Sequence, residues 1–224
     1  MAVAIITGAS RGLGEAVATG LAGAGWQLVV DGRDADALTE AATRIGGRVR
    51  TVVGDVTDPG HRAALLAAAT ELGGPDLLVN NAGILGPSPQ PALADYPLAV
   101  LREVYEVNLL APLALVQLAL PTLRERGGSV VNVTSDAAVE PYEGWGGYGS
   151  AKAAVEQLSR ILAAEEPTVR VWAVDPGDLR TRMHQQAFPG EDISDRPRPE
   201  TVVPAFLKLL ANRPESGRIK LVSG

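Results

Sequence analysis

The sequence predicts an α/β fold, a single doubly wound parallel sheet of about seven strands with helices on both faces. Two observations carry that expectation. Short apolar runs alternate with longer alanine- and leucine-rich stretches along the chain, the pattern of buried strands joined by crossover helices. The first apolar run leads directly into a glycine-rich turn, Thr7-Gly8-Ala9-Ser10-Arg11-Gly12-Leu13-Gly14, and then into a helical stretch. Right-handed crossovers convert such an alternation into the doubly wound arrangement. A length of 224 residues, with no repeat and no linker, fits one domain spanning 1–224.

The elements follow in order. Val3–Ile6 is a short apolar strand, and the glycine turn passes it into a helix over 12–24. Gln27–Asp31 is the second strand and 34–45 the second helix; Arg48–Val53 and 59–72 repeat the pair. Leu77–Asn80 is a fourth strand. A long helical stretch over 97–126 follows, with a break expected near Asn108–Pro112. Val130-Val131-Asn132-Val133 centres a strand over Ser129–Thr134. Alanines and apolar residues at helical spacing predict a helix over 148–164. Val169–Val174, a helix over 200–211 and Ile219–Val222 complete the alternation.

Composition narrows the function classes. Apolar residues at 46% and charged residues at 21% are ordinary for a globular protein. A net charge of −6 without a basic run argues against nucleic acid as a partner. With 0 cysteines there is no thiolate chemistry and no cysteine-ligated metal. The 2 histidines, His61 and His184, are far apart in sequence, so no metal site is expected, and His184 reads as a surface residue of a pocket loop. The opening apolar run lacks a basic leader and reads as a strand, not a secretory signal. Val107–Leu123 is the most apolar stretch, but Asn108, Pro112, Gln117 and Pro121 interrupt it, so it reads as a buried or subunit-interface helix, not a membrane span.

The glycine turn carries the first functional signal. Strand, tight glycine loop and helix let backbone N–H groups and the positive helix end approach a pyrophosphate. The spacing Gly8-x3-Gly12-x-Gly14 differs from the general Gly-x-Gly-x2-Gly fingerprint. At the end of the second strand, Asp31-Gly32-Arg33 stands where a chain meets the adenosine ribose. Gly32 takes the slot of the acid that would hold a free 2′-hydroxyl. Arg33 and Arg11 suit a 2′-phosphate, so NADP(H) is expected over NAD(H). Arg33 capping a solvated loop is the plainer alternative. Asp31 is expected inside the strand end, paired with an arginine.

Tyr148 and Lys152 stand at i and i+4 of a helix, on one face. A phenol titrates ordinarily near 10, and a nearby cation lowers it by about 1–3 units, which makes a usable proton donor and acceptor. Ser135, at the carboxyl end of its strand, reaches the crevice where such sheets bind ligands and can hold a substrate carbonyl. Together with the dinucleotide loop, these residues describe the transfer of one proton and one hydride. The plainer reading is a half-buried aromatic beside a solvated lysine.

From Thr7 to about Thr181 the chain resembles the short-chain dehydrogenase/reductase family, whose fold is the Rossmann fold. The resemblance rests on TGASRGLG, Asp55-Val56, Asn80-Asn81-Ala82-Gly83, Asn108, Ser135, Tyr148, Lys152, Pro176-Gly177 and Thr181. It implies that Asn108, Ser135, Tyr148 and Lys152 are catalytic, with Asn108 holding a relay water. It implies a cofactor site of Gly8, Ser10, Arg11, Gly12, Leu13, Gly14, Arg33, Asp55, Val56, Asn81, Ala82, Gly83, Tyr148, Lys152, Pro176, Gly177 and Thr181. Relatives commonly pair the 97–126 and Tyr148 helices across a dimer axis, which implies a cytoplasmic homodimer or homotetramer. Trp172 departs from the family's usual asparagine, and the Glu165-Glu166-Pro167-Thr168 connection is shorter than usual.

Loops at 85–91, 137–147 and 178–199 are expected to shape the substrate site. Tyr142, Trp145, Met183 and Phe188 either line an apolar pocket or plug the loop surface. The expected activity is NADP(H)-dependent interconversion of a small-molecule carbonyl and alcohol. A non-catalytic dinucleotide sensor or scaffold, an NAD-preferring dehydrogenase, and epimerisation or dehydration of a nucleotide sugar are the rivals. No substrate within the carbonyl class is singled out.

Overall fold

The computed structural model describes residues 1–221. Its centre is a seven-stranded, wholly parallel sheet in the order β3-β2-β1-β4-β5-β6-β7. The strands are β1 (Val3–Ile6), β2 (Gln27–Gly32), β3 (Arg48–Val53), β4 (Leu77–Asn80), β5 (Ser129–Val133), β6 (Arg170–Asp175) and β7 (Gly217–Lys220). The helices are α1 (Gly12–Gly23), α2 (Ala35–Ile45), α3 (Pro59–Glu71), α4 (Leu98–Tyr105), α5 (Ala111–Arg126), α6 (Gly146–Glu165), α7 (Arg182–Ala187) and α8 (Val203–Asn212). The order doubles back between β1 and β4, which opens a crevice at the carboxyl ends of the strands.

Apolar strands buried on both faces require a helical layer on each side. One core packs Val17, Leu21, Leu28, Leu38, Trp172 and Phe206 against the sheet. The other packs Leu65, Leu115, Ala119 and Leu123 against Ile5, Val29, Leu78 and Val130. Trp172 is fully buried in the first core and its Nε1 donates to the Glu215 carbonyl at 3.2 Å, so this departure from the family pattern is a packing residue. The short connection after α6 is closed by Glu166, whose Oε2 accepts from Arg124 Nε at 2.7 Å.

Several boundaries differ from the sequence expectation. β7 begins at Gly217, before the expected Ile219; Val222 lies outside the described residues. The segment expected as a loop over 178–199 contains α7, opened by the Thr181 hydroxyl accepting the His184 N–H at 3.1 Å. The long helix is not broken at Asn108 but widened into a π-helical turn over Glu106–Leu110. The extra residue is absorbed without a stop, and such turns gather at functional positions. The 29-residue run Leu98–Arg126 is long and apolar enough to cross a membrane by length and composition. Leu115, Val116, Ala119 and Leu123 are nevertheless spent on the second core, as in the core helix of an α/β sheet.

Candidate active site

The crevice is a cleft of 1510 Å³ reaching from the adenosine end of the glycine loop to α7. At one end α1 begins at Gly12, so its free N–H groups face the cleft. The loop packs tightly. A Cβ on Gly8 would stand 2.9 Å from the Ala82 Cα, and one on Gly14 would stand 2.4 Å from the Gly8 carbonyl oxygen. The Thr7 hydroxyl accepts the Asn81 and Ala82 N–H groups, each at 3.0 Å, and Asn81 Nδ2 donates to the Thr7 and Gly8 carbonyls. The cradle a phosphate needs is therefore made of backbone, with glycine required for clearance. Ser10, Arg11, Leu13, Gly83, Val56, Pro176 and Thr181 all line the same cleft.

At the ribose end, Asp31 is buried and does not pair with an arginine. Its Oδ1 accepts the Gly8 N–H at 2.6 Å and its Oδ2 meets His61 Nε2 at 3.0 Å. The sequence reading missed His61, because the partnership depends on α3 packing over β2 and no local pattern announces it. Arg33 is exposed and stands 3.8 Å from Asp55. Asp55 is lowered from the ordinary carboxylate value: burial works against the shift, and the Thr57 hydrogen bonds, with Arg33, outweigh it.

At the other end α6 brings Tyr148 and Lys152 to one face, both more than nine-tenths buried. The helix sits close to the segment after Ser135; a Cβ at Gly149 would stand 2.6 Å from the Ala137 carbonyl oxygen. Lys152 Nζ lies over the Tyr148 ring, 5.5 Å from its centroid, and donates to the Val133 carbonyl at 2.8 Å. Burial pushes Lys152 down to about 8. It also raises Tyr148, assisted by the Asp136 and Asp175 carboxylates. The sequence expectation of a phenol depressed by its lysine is thus reversed here, because desolvation and then the two acids hold the phenol up.

The remaining polar groups are engaged locally. The Ser135 hydroxyl donates to Asp136 Oδ1 at 2.9 Å and accepts the Ala137 N–H at 3.2 Å. Asn108 is buried in the π-helical turn. Its Oδ1 accepts the Ile84 N–H at 2.9 Å and its Nδ2 donates to the Ile84 carbonyl at 2.8 Å. Gly83 lies between Asn108 and Lys152, with a notional Cβ 2.9 Å from Asn108 Oδ1 and 3.8 Å from Lys152 Nζ. Asn108 and Gly14 do not line the cleft, whereas Ser135, Tyr148 and Lys152 do.

Trp145 meets the Tyr148 ring edge-on at 5.9 Å and Phe188 at 5.9 Å, and both line the cleft with Tyr142 and Met183. His184 is not a surface residue. Its side chain is 10% exposed, with its ring tilted against Phe188 at 4.9 Å and Nδ1 3.9 Å from Asp178. The arrangement offers a phosphate cradle, an apolar wall, and a half-buried hydroxyl beside a buried phenol and ammonium group in one cleft.

A sequence profile described as short chain dehydrogenase matches residues 2–192. Sepiapterin reductase from Mus musculus is 37% identical over 202 residues, covering 83% of this chain and 77% of that one. The 7alpha-hydroxysteroid dehydrogenase of Escherichia coli strain K12 is 34% identical, covering 99% and 92%. Among solved structures, an alcohol dehydrogenase from Thermococcus sibiricus complexed with 5-hydroxy-NADP superposes with a TM-score of 0.89 at 30% identity, covering 100% of this chain and 97% of that one.

Proposed function

The chain belongs to the short-chain dehydrogenase family and is an oxidoreductase; from that premise we propose that it interconverts a carbonyl and an alcohol with NADP(H) as the partner. The observation that carries the proposal is the single cleft that holds both the glycine cradle and Ser135, Tyr148 and Lys152. The residues fit a dinucleotide, since side chains at Gly8 or Gly14 would fill the space against Ala82 and the Gly8 carbonyl. When bound, the nicotinamide supplies or accepts the hydride.

The chain's own groups handle the proton and the positioning. Tyr148, kept protonated by its burial, gives its proton to the carbonyl oxygen in the reductive direction. Ser135 turns its hydroxyl hydrogen from Asp136 to that same oxygen and holds it. Lys152 carries positive charge beneath the phenol and stabilises the phenolate left behind. Asn108 braces the turn at Ile84 that borders Lys152 with both atoms of its amide. Its π-helical turn is where a relay water to Lys152 would be held. Arg11 and Arg33 favour a 2′-phosphate, and the Asp31 carboxylate is already engaged by Gly8 and His61, so it is not offered to a free ribose hydroxyl. The segments 85–91, 137–147 and 178–199 shape the substrate end. The exposed Leu110 of the π-helical turn, Leu118 of α5 and Ile161 of α6 support a homodimer or homotetramer of one-domain subunits. A cytoplasmic location is part of the same proposal.

Loss of NADPH absorbance with a panel of aldehydes and ketones tests the reading. Turnover with NADPH exceeding that with NADH supports it; binding of NADPH with no turnover across the panel points instead to a dinucleotide sensor.

A further inference from the structure

Behind the reacting groups lies a charged cluster that the proposed chemistry does not use: Arg218 and Glu156 stand outside the cleft lining, and Asp175 reaches it from the end of β6. Arg218, on β7, is its centre. Its Nε donates to Glu156 Oε1 at 2.9 Å, and its Nη2 donates to Asp175 Oδ2 at 2.8 Å and, at 3.4 Å, to the Ser135 carbonyl oxygen. Glu156 and Asp175 are buried, at 2% and 1% exposure. The same Glu156 Oε1 accepts the Thr134 hydroxyl at 2.9 Å, and Oε2 meets Arg160 at 3.3 Å.

Each partner belongs to a different working segment. Glu156 stands at i+4 from Lys152 on α6, so it shares the face that carries Tyr148 and Lys152. Thr134 and Ser135 follow the end of β5. Asp175 ends β6, and its Oδ1 accepts the Gly177 N–H at 2.9 Å, shaping the Pro176–Gly177 turn at the cleft. Its carbonyl accepts the Leu221 N–H at 2.8 Å, which returns the chain after β7 to the same place. Charge explains why an arginine is needed. Two buried carboxylates must be compensated, and the planar fork serves both at once, which an ammonium group on a flexible stem does less well.

We infer that Arg218 is a positioning residue of the reaction: from the last strand, its guanidinium holds the serine segment, the Pro176–Gly177 turn and the Tyr148–Lys152 helix in one register. The inference rests on the proposed function for what that register accomplishes, but not for its existence. Arg218 touches no reacting atom. It acts through Glu156 and Asp175, and the placement of Ser135 relative to Tyr148 is what it sets.

The experiment compares Arg218→Lys, Arg218→Met and Glu156→Gln with the wild type. Glu156→Gln keeps the volume and leaves Arg218 paired with Asp175, so it remains informative if Arg218→Met does not fold. Turnover is expressed per NADPH-binding site, which removes any loss due to unfolded protein. Misplacement of a reacting group costs on the order of 10–100-fold in kcat, and Arg218→Met and Glu156→Gln are expected in that range with NADPH affinity changed by less than about threefold. Arg218→Lys, which restores charge without the fork, is expected between them and the wild type. Crystal structures of the variants supply the second readout. The 134–136 and 175–177 segments are expected to shift against α6 by roughly 0.5 Å or more, the tolerance of a working site. Unshifted segments, or shifted segments with kcat per site within about twofold of the wild type, overturn the inference. A wild type inactive on the carbonyl panel counts against the proposed function alone, and the shift still decides the role of Arg218.

Discussion

Lys152 lies under the face of Tyr148, with its Nζ 5.5 Å from the ring centroid, and hydrogen-bonds the Val133 carbonyl, not the phenol oxygen. The ammonium group thus acts on the phenol through space, from a pocket that disfavours its own charge. Burial lowers Lys152 to about 8 and raises Tyr148.

That arrangement has a stability signature. The unfolded lysine titrates near 10.4, so between about 8 and 10.4 the unfolded chain binds more protons than the folded one. Stability then rises with pH across that window, and the contribution is lost as pH falls through about 8. The wild type should gain on the order of 3 kcal/mol relative to Lys152→Met from pH 7.5 to 10.5, read by urea unfolding. Parallel pH profiles for the two proteins would remove the buried ammonium from the explanation.

The glycine cradle predicts a cost for one methyl group. Gly14→Ala places a Cβ 2.4 Å from the Gly8 carbonyl oxygen and 2.5 Å from Asn81 Nδ2. Overpacking of about 1–3 kcal/mol lowers Tm by roughly 2–10 °C in a chain of this size, with NADPH binding weakened as well. An unchanged melting temperature with unchanged NADPH affinity would show that the loop has room to spare.

Cofactor choice is tested at Arg33, exposed and 3.8 Å from Asp55. A charge-assisted hydrogen bond to a 2′-phosphate is worth about 1.5–3 kcal/mol, so Arg33→Ala should weaken NADPH by roughly 10–100-fold. NADH, lacking that phosphate, should change little. Equal losses for both dinucleotides would assign Arg33 to the loop, not to the phosphate.

Assembly is tested on the exposed apolar residues Leu118 and Ile161 of α5 and α6. The wild type is expected to elute as a dimer or tetramer in light-scattering chromatography, and Leu118→Arg with Ile161→Arg as a monomer. A monomeric wild type at micromolar concentration would contradict the oligomer proposal.

The fold was legible because its signals are local. Runs such as Val130–Val133 and the turn Gly8–Gly14 declare strands and their connections within a few residues, and the strand alternation then leaves little topological choice. The cleft residues were legible where a motif carries them. What the sequence did not reveal comes from residues brought together by packing. Asp31 meets His61, not an arginine, because α3 covers β2, and Arg218 reaches Glu156 and Asp175 because β7 lies beside β6. The direction of the Tyr148 shift was missed for the same reason: the i, i+4 spacing shows the cation but not the desolvation or the acids at 136 and 175.

The most direct measurement is single-turnover oxidation of NADPH by the Tyr148→Phe variant with a carbonyl that the wild type reduces, alongside NADPH titration of both proteins. The phenol as proton donor predicts at least about a hundredfold loss of rate with NADPH affinity within about threefold of the wild type. A Phe variant that oxidises NADPH at the wild-type rate would contradict the assignment of Tyr148 as the acid.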